Sequence, residues 1–416
     1  MMKHRAHLPT VLGLVLAIGV VACGPSRDDP NRLTVWEQMD PAEQAMLREH
    51  LDMFEDEHPG VRVDVVHFET ENLRQNFQTA ALAGTGPDLV YGPSDGVGPY
   101  SIMGLIYELE DPRLNIHPDT LALYLPDALP KVNGKTYRIS DQIGNHLTLV
   151  RNGAFAPDAP MTMEELIRVA KENTIDEDGD GRPDRWGLVF NLAEPFWLIP
   201  FLGGYGGWVM DESEHPTLDS EAMVGALALV RRFIDEGIIP PSCDYPLSDT
   251  LFKQGKAAFI INGPWSWQGY RDVGIDVRLS SIPRIPETGL WPSPSTASKG
   301  YSMNIHVPET RLDLVVDLMM FLTSADVVGR LSDRIGALPS RIDVGNWPRV
   351  ANNPELAASW EQLRRGRQMP LVPEMRAIWD VMRPGMQRVV SGSATPEEAA
   401  QRMQEDALRK IEEMKL

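Results

Sequence analysis

Two hydrophobic rhythms alternate along the first ninety residues. Leu33-Thr34-Val35-Trp36 reads as a strand, and Val61, Val63 and Val65 alternate with Arg62 and Asp64, the period of a half-buried strand. Between them, Pro41–Glu57 carries Leu47, Leu51 and Phe54 at helical spacing, and His58-Pro59-Gly60 ends that helix. Residues 73–83 form a second helix, closed by Gly84-Thr85-Gly86-Pro87, and residues 88–91 a third strand. The order β-α-β-α-β calls for an α/β protein: a parallel sheet with helices on its faces.

After about residue 140 the pattern changes. Thr162-x-x-Glu165 is a capping box that opens the helix Met163–Asn173. Residues 185–190 read as a strand, and Asp219 or Ser220 caps a helix over 221–236 that Gly237 stops. Further strands are expected over 257–261 and 276–282, a Pro/Ser-rich loop over 283–298, and a helix over Leu312–Leu322. Residues 339–353 read as irregular and Trp360 as part of a short helix. The last two helices cover 375–391 and 396–415, the second opened by a capping box Thr395-x-x-Glu398. In Ile261-Asn262-Gly263-Pro264-Trp265-Ser266-Trp267 a turn is expected, with Gly263 at positive φ. Two tryptophans follow it. Both suit a core, and a flat indole also suits an apolar ring face.

Composition narrows the class. The 416 residues are enough for two domains, and 43% apolar with 24% charged residues is ordinary for a globular protein. A net charge of −20 removes the basic footprint that a nucleic-acid partner needs. The start of the chain stands apart: Lys3, His4 and Arg5, then an apolar run over 8–21 too short for a membrane span, then Val20-Val21-Ala22-Cys23. This resembles a bacterial lipoprotein signal. The resemblance implies removal of residues 1–22, lipid on the sulfur of Cys23, a tether over 23–31, and a mature net charge of −22. Cys243 then has no intramolecular partner other than the lipidated residue and reads as a packing residue.

The sharpest local chemistry is Asp176-Glu177-Asp178-Gly179-Asp180-Gly181-Arg182-Pro183-Asp184. Asp176, Asp178, Asp180 and Asp184 fall at positions 1, 3, 5 and 9 of a calcium loop, Gly181 at position 6, and the carbonyl of Arg182 at position 7. Position 12 is Gly187 rather than a bidentate Glu, so a structural calcium needs a further ligand from elsewhere. A solvated acidic turn is the plain alternative. Catalytic signals are weak: no H-E-x-x-H, G-x-S-x-G or P-loop is present, and no spacing singles out a pair among the 59 acidic residues. Gly203–Gly207 lacks the strand–turn–helix setting of a dinucleotide site and reads as a flexible loop, and none of the nine histidines reads as a metal ligand. No catalytic cofactor is expected.

Four stretches, taken in order, resemble the maltose-binding-protein group of periplasmic sugar-binding proteins that serve ABC importers. They are Gly86-Pro87-Asp88-Leu89-Val90-Tyr91, Asn191-Leu192-Ala193-Glu194-Pro195-Phe196, FKQGKAAFIINGPWSW over 252–267, and Met369-Pro370-Leu371-Val372-Pro373-Glu374-Met375 running on to Trp379. The resemblance spans nearly the whole mature chain. It implies a two-lobed α/β fold with several hinge crossings and a ligand cleft between lobes that close by hinge bending. The lobes would comprise 32–143 plus 300–345 and 144–299 plus 346–416. Carried over residue by residue, the aromatic wall falls on Phe196, Tyr245, Trp265 and Trp379, with Met369 nearby. Glu194 would accept sugar hydroxyls, and Asp40 and Asp95 would be the acidic contacts of the other lobe.

The departures fall in the first lobe. Gly92 stands where maltose binders carry a stacking Trp, Gly96 where they carry an Arg, Asn145 and Arg74 where they carry Glu, and Pro41 where they carry Lys. The implied protein is not an enzyme. It is a monomeric, extracytoplasmic lipoprotein, anchored through Cys23, that binds a maltodextrin-like oligosaccharide and delivers it to the importer's permease. A sugar-sensing or adhesive surface lipoprotein without a transporter, and a carbohydrate-active enzyme, are the alternatives.

Overall fold

The computed structural model describes residues 29–414, so the expected leader and Cys23 lie outside the described residues. Two sheets organise the chain. The larger runs Leu338–Pro339, Ile139–Asn145, Ser295–Met303, Leu89–Pro93, Arg32–Glu37, Arg62–His67, with Arg367–Gln368 pairing onto Ser295–Met303. The first three strands are parallel, as the β-α-β-α-β reading requires, while Ser295–Met303 enters between them and Ile139–Asn145 antiparallel to both. The smaller sheet runs Val277–Ser280, Thr148–Asn152, Ala257–Asn262, Trp186–Val189.

Each sheet carries its own core. Leu47, Leu51 and Phe54 of Pro41–Glu57 pack on the larger sheet with Val315 and Met319 of Leu312–Leu322. The second core gathers Met223 and Phe233 of Glu221–Asp235 with Ile378 and Met386 of Glu374–Val390 and Met403 of Pro396–Met414. Cys243 is buried in that core, which pushes its thiol up to about 12 and leaves it a packing residue. The chain moves between the two bodies near residue 146, near 294 and near 366. Val350 and Leu356 belong to the first core, which therefore reaches past residue 345, where the sequence reading closed the first lobe.

Helix starts follow the capping chemistry. Ser220, not Asp219, caps Glu221–Asp235 by accepting from Met223 N–H. The box at Thr395 and Glu398 is complete, but at Thr162 only half forms, because Glu165 reaches back to the N–H of Met161 instead.

Several expectations are corrected. The loop expected over 283–298 ends early: Ser295 already starts a nine-residue strand, Ser295–Met303, buried along nearly its whole length. Residues 339–353 hold two short helices, Ile342–Gly345 and Pro348–Ala351, and Ala325–Ile335 is a helix the periodicity reading passed over. Gly203 and Gly204 end the helix Ile199–Gly204 packed against Ser293, Ile285 and Pro292, so this is a close contact rather than a flexible loop. Gly263 has φ −104°, an extended conformation that caps the helix Pro264–Asp272. Its lack of a side chain serves the Trp265 ring, whose carbons stand 2.0–2.5 Å from where a Cβ would lie.

Candidate functional site

Asp40 closes the first turn of Pro41–Glu57, with its own N–H donating to the Glu43 carboxylate at 3.2 Å. Asp95 sits in the short turn Ser94–Gly96 after the third strand. It is 8% exposed; Oδ2 accepts from Arg74 at 2.5 Å, and Oδ1 is buried with no hydrogen-bond partner among the described residues. Both carboxylates belong to the first body.

The facing wall is aromatic. Phe196 meets Trp197 edge-on at 5.5 Å, and Trp197 leans on Tyr245 at 5.9 Å. The Trp265 indole donates to the Tyr245 hydroxyl at 3.0 Å. Trp265 is half-buried, whereas Trp267, two residues on, is fully buried against Gly336 of the first body. The two tryptophans thus divide between wall and core. Trp379 lies on Glu374–Val390, 8% exposed, and its Nε1 is a buried donor with no hydrogen-bond partner among the described residues.

The walls touch. Tyr245 donates to Asp40 at 3.2 Å to Oδ2 and 3.4 Å to Oδ1. Beneath that contact Lys299 Nζ pairs with Glu43 at 2.7 and 2.8 Å and lies 5.8 Å from the ring centres of both Trp265 and Tyr91. Burial, then the charge of Glu43, pushes the Asp40 carboxyl up to about 7, against the pull of Lys299. Asp141, one strand away, rises to about 8 for the same two reasons.

At the other end the contact is ionic. Glu71 pairs with Arg74 of its own helix at 3.3 Å and, across the cleft, with Arg376 at 2.9 Å and Arg383 at 3.9 Å. Arg383 also grips Glu194 with two bonds of 3.1 and 2.8 Å. Glu71 is held below the usual carboxylate range because the three arginines outweigh the opposing effect of burial.

The structure therefore brings together Asp40, Tyr245 and Trp265, and separately Asp95 and Glu194 through arginines. Met369 is buried beside Ser295 and lines a depression of about 1190 Å³ between Ile116, Leu121, Tyr124, Leu129 and Val132 on one side and the 368–372 segment on the other. Asn145 ends its strand opposite Ala297, and no hydrogen bond joins it to the other site residues. Asp176, Asp178 and Asp184 bring carboxylate oxygens within 4.8 Å of one another on the surface. Asp180 is not in that group; its carboxylate accepts from Arg182 N–H at 2.8 Å.

Sequence reasoning passed over Trp197, Glu43, Glu71, Lys299, Arg376 and Arg383. For two of these a signal existed: Arg376, Trp379 and Arg383 are spaced three and four apart and share a helix face. Lys299 had none, because its partner Glu43 is 256 residues away.

Comparison with known proteins adds the following. The family model described as bacterial extracellular solute-binding protein matches residues 49–358. The galactooligosaccharide-binding protein of Bacillus subtilis is 25% identical over 96% of each chain. Among solved structures, a maltose/maltodextrin-binding domain from Bdellovibrio bacteriovorus bound to maltotriose superposes with a TM-score of 0.89 at 40% identity, over 92% of this chain and all of that one. The GacH receptor of Streptomyces glaucescens, solved unliganded and with acarbose, gives 0.81 at 26% identity over 91% and 98%. Among the described residues no helix is long and apolar enough to cross a membrane.

Proposed function

The chain belongs to the bacterial extracellular solute-binding proteins, and from that premise we propose that it captures an oligosaccharide of the maltodextrin class between its two walls and hands it to an ABC importer. The observation that carries this is a mismatch. Asp95 Oδ1 is a buried acceptor and Trp379 Nε1 a buried donor, both without partners among the described residues, and Phe196, Tyr245 and Trp265 supply partly buried aromatic rings. A buried polar atom left unmade costs roughly 1–3 kcal/mol. A pyranose carries hydroxyls for both atoms and apolar C–H faces for the rings. The likeness to the Bdellovibrio domain bound to maltotriose supports the sugar class. The proposed ligand set is Asp40, Asp95, Asn145, Glu194, Phe196, Tyr245, Trp265, Met369 and Trp379. Membership of the solute-binding family supports a ligand that leaves unaltered.

The test is titration calorimetry with maltose, maltotriose, maltotetraose and a galacto-oligosaccharide. Saturable binding of an α-linked glucan, with no turnover over hours, is the expected result. Hydrolysis products, or a flat titration across the panel, would overturn it.

Two further assignments complete the reading. Cys23 carries lipid, which holds the mature protein as a monomer on the outer side of a membrane; the charged start, the apolar run and the lipoprotein relatives support this. The Asp176–Asp184 loop holds a structural calcium. Hard carboxylate oxygens suit that ion, and Asp176, Asp178 and Asp184 already converge.

A further inference from the structure

Arg74 orients the first wall's buried carboxylate, Asp95, and Arg383 orients the second wall's carboxylate, Glu194. Both arginines reach one anion, Glu71, at 3.3 and 3.9 Å, and Arg376 pairs with it more closely at 2.9 Å. Charges therefore alternate without a break from one wall to the other: Asp95, Arg74, Glu71, Arg383, Glu194. We propose that Glu71 is a positioning residue that couples the two walls of the site, tying the arginines that orient the acceptor on each wall to one common anion when the lobes are closed. This rests on the sugar-binding reading above for its ligand but not for its mechanics.

Without the Glu71 charge, Arg74 keeps Asp95, Arg383 keeps Glu194, and Arg376 keeps Asp380 at 3.3 Å. Each wall remains internally paired. What disappears is the ionic bond between walls, and with it the Coulomb attraction that favours the closed arrangement. Coupling between sites needs such an element with two discrete arrangements, and here the arrangements are lobes apart and lobes together. Glu71, Arg376 and Arg383 are all partly exposed, so the bridge is open to screening by salt.

The experiment uses the mature full chain, Glu71→Gln, Glu71→Asp, Arg376→Gln and the double variant Glu71→Gln/Arg376→Gln. Small-angle scattering without sugar reads the lobe arrangement, and calorimetry with maltotriose at about 0.05 and 0.5 M salt reads affinity. Expected are a larger radius of gyration and an affinity loss of about tenfold for Glu71→Gln, recovered in part by Glu71→Asp. The salt dependence should be flatter than that of the wild type, and the double variant should lose less than the two single losses combined. A Glu71→Gln protein with wild-type scattering, affinity and salt response overturns the proposal. If maltotriose does not bind the wild type but the scattering changes as expected, the coupling stands and the sugar reading falls.

Discussion

The phenol of Tyr245 donates across the cleft to Asp40, 3.2 Å from Oδ2, while accepting from the indole of Trp265 at 3.0 Å. One hydrogen-bonded chain thus runs from an aromatic wall to the end of a helix in the opposite lobe. Its last member has a carboxyl whose proton affinity is raised by burial and by Glu43.

That raised affinity sets a sign. A carboxyl whose pKa rises from its ordinary value near 4 to about 7 in the folded protein favours the folded form fully below about pH 4. The advantage is lost as pH rises through about 7, because the unfolded chain gives up the proton first. Burial raises Asp141 in the same direction. The melting temperature of the sugar-free protein should fall between about pH 5 and 8, and less steeply in Asp40→Asn. Equal slopes by scanning calorimetry would remove Asp40 from the account.

The two neighbouring tryptophans should separate by assay. Trp265→Ala removes a half-exposed cleft ring and should weaken sugar binding by more than about tenfold, with a small loss of stability. Trp379→Ala should weaken binding likewise, but with a larger loss of stability, because its ring is buried in the second core. Trp267→Ala empties a fully buried position and should cost about 3–5 kcal/mol of stability. Chemical denaturation and calorimetry on the three variants check this, and the reverse pattern would mean that the wall has been misplaced.

Gly98 belongs to the first body, and a Cβ on it would lie 1.6 Å from the carbonyl oxygen of Leu371, between Met369 and Trp379. A backbone oxygen cannot rotate away. Gly98→Ala should therefore hold this rim of the cleft open, lowering sugar affinity by about tenfold or more while leaving helix content intact. Scattering and calorimetry read both effects; wild-type affinity would show that this contact does not gate closure.

For the acidic loop, a chelator should lower the melting temperature by several degrees, and added calcium should restore it by mass action. Asp176→Ala should abolish the response. A melting curve indifferent to chelator, in protein that contains no calcium by elemental analysis, would leave the loop a solvated turn.

Native mass spectrometry of the membrane fraction should find residues 1–22 missing and Cys23 modified by lipid. An intact Met1 or a free Cys23 thiol would refute the anchor.

What the sequence by itself determined is what neighbours along the chain decide. The parallel order of the first three strands, the helix Pro41–Glu57 with its buried Leu47, Leu51 and Phe54, and the cap at Ser220 or Asp219 follow from periodicity and from polar groups a few residues apart. The resemblance in four short motifs indicated the fold. Tertiary structure decided the rest, because the deciding partners are remote. Ser295–Met303 has no apolar rhythm to betray a buried strand, since Lys299 is paired with Glu43 and Ser302 accepts from Arg138. Trp265 and Trp267 look equivalent in a turn. On a helix, two residues apart means about 200° apart, so one faces the cleft and the other the core. The contacts that join the lobes, Tyr245 to Asp40 and Arg376 to Glu71, span 205 and 305 residues. No local pattern encodes such pairs; they exist only because two separately packed cores bring one helix end and one arginine face together.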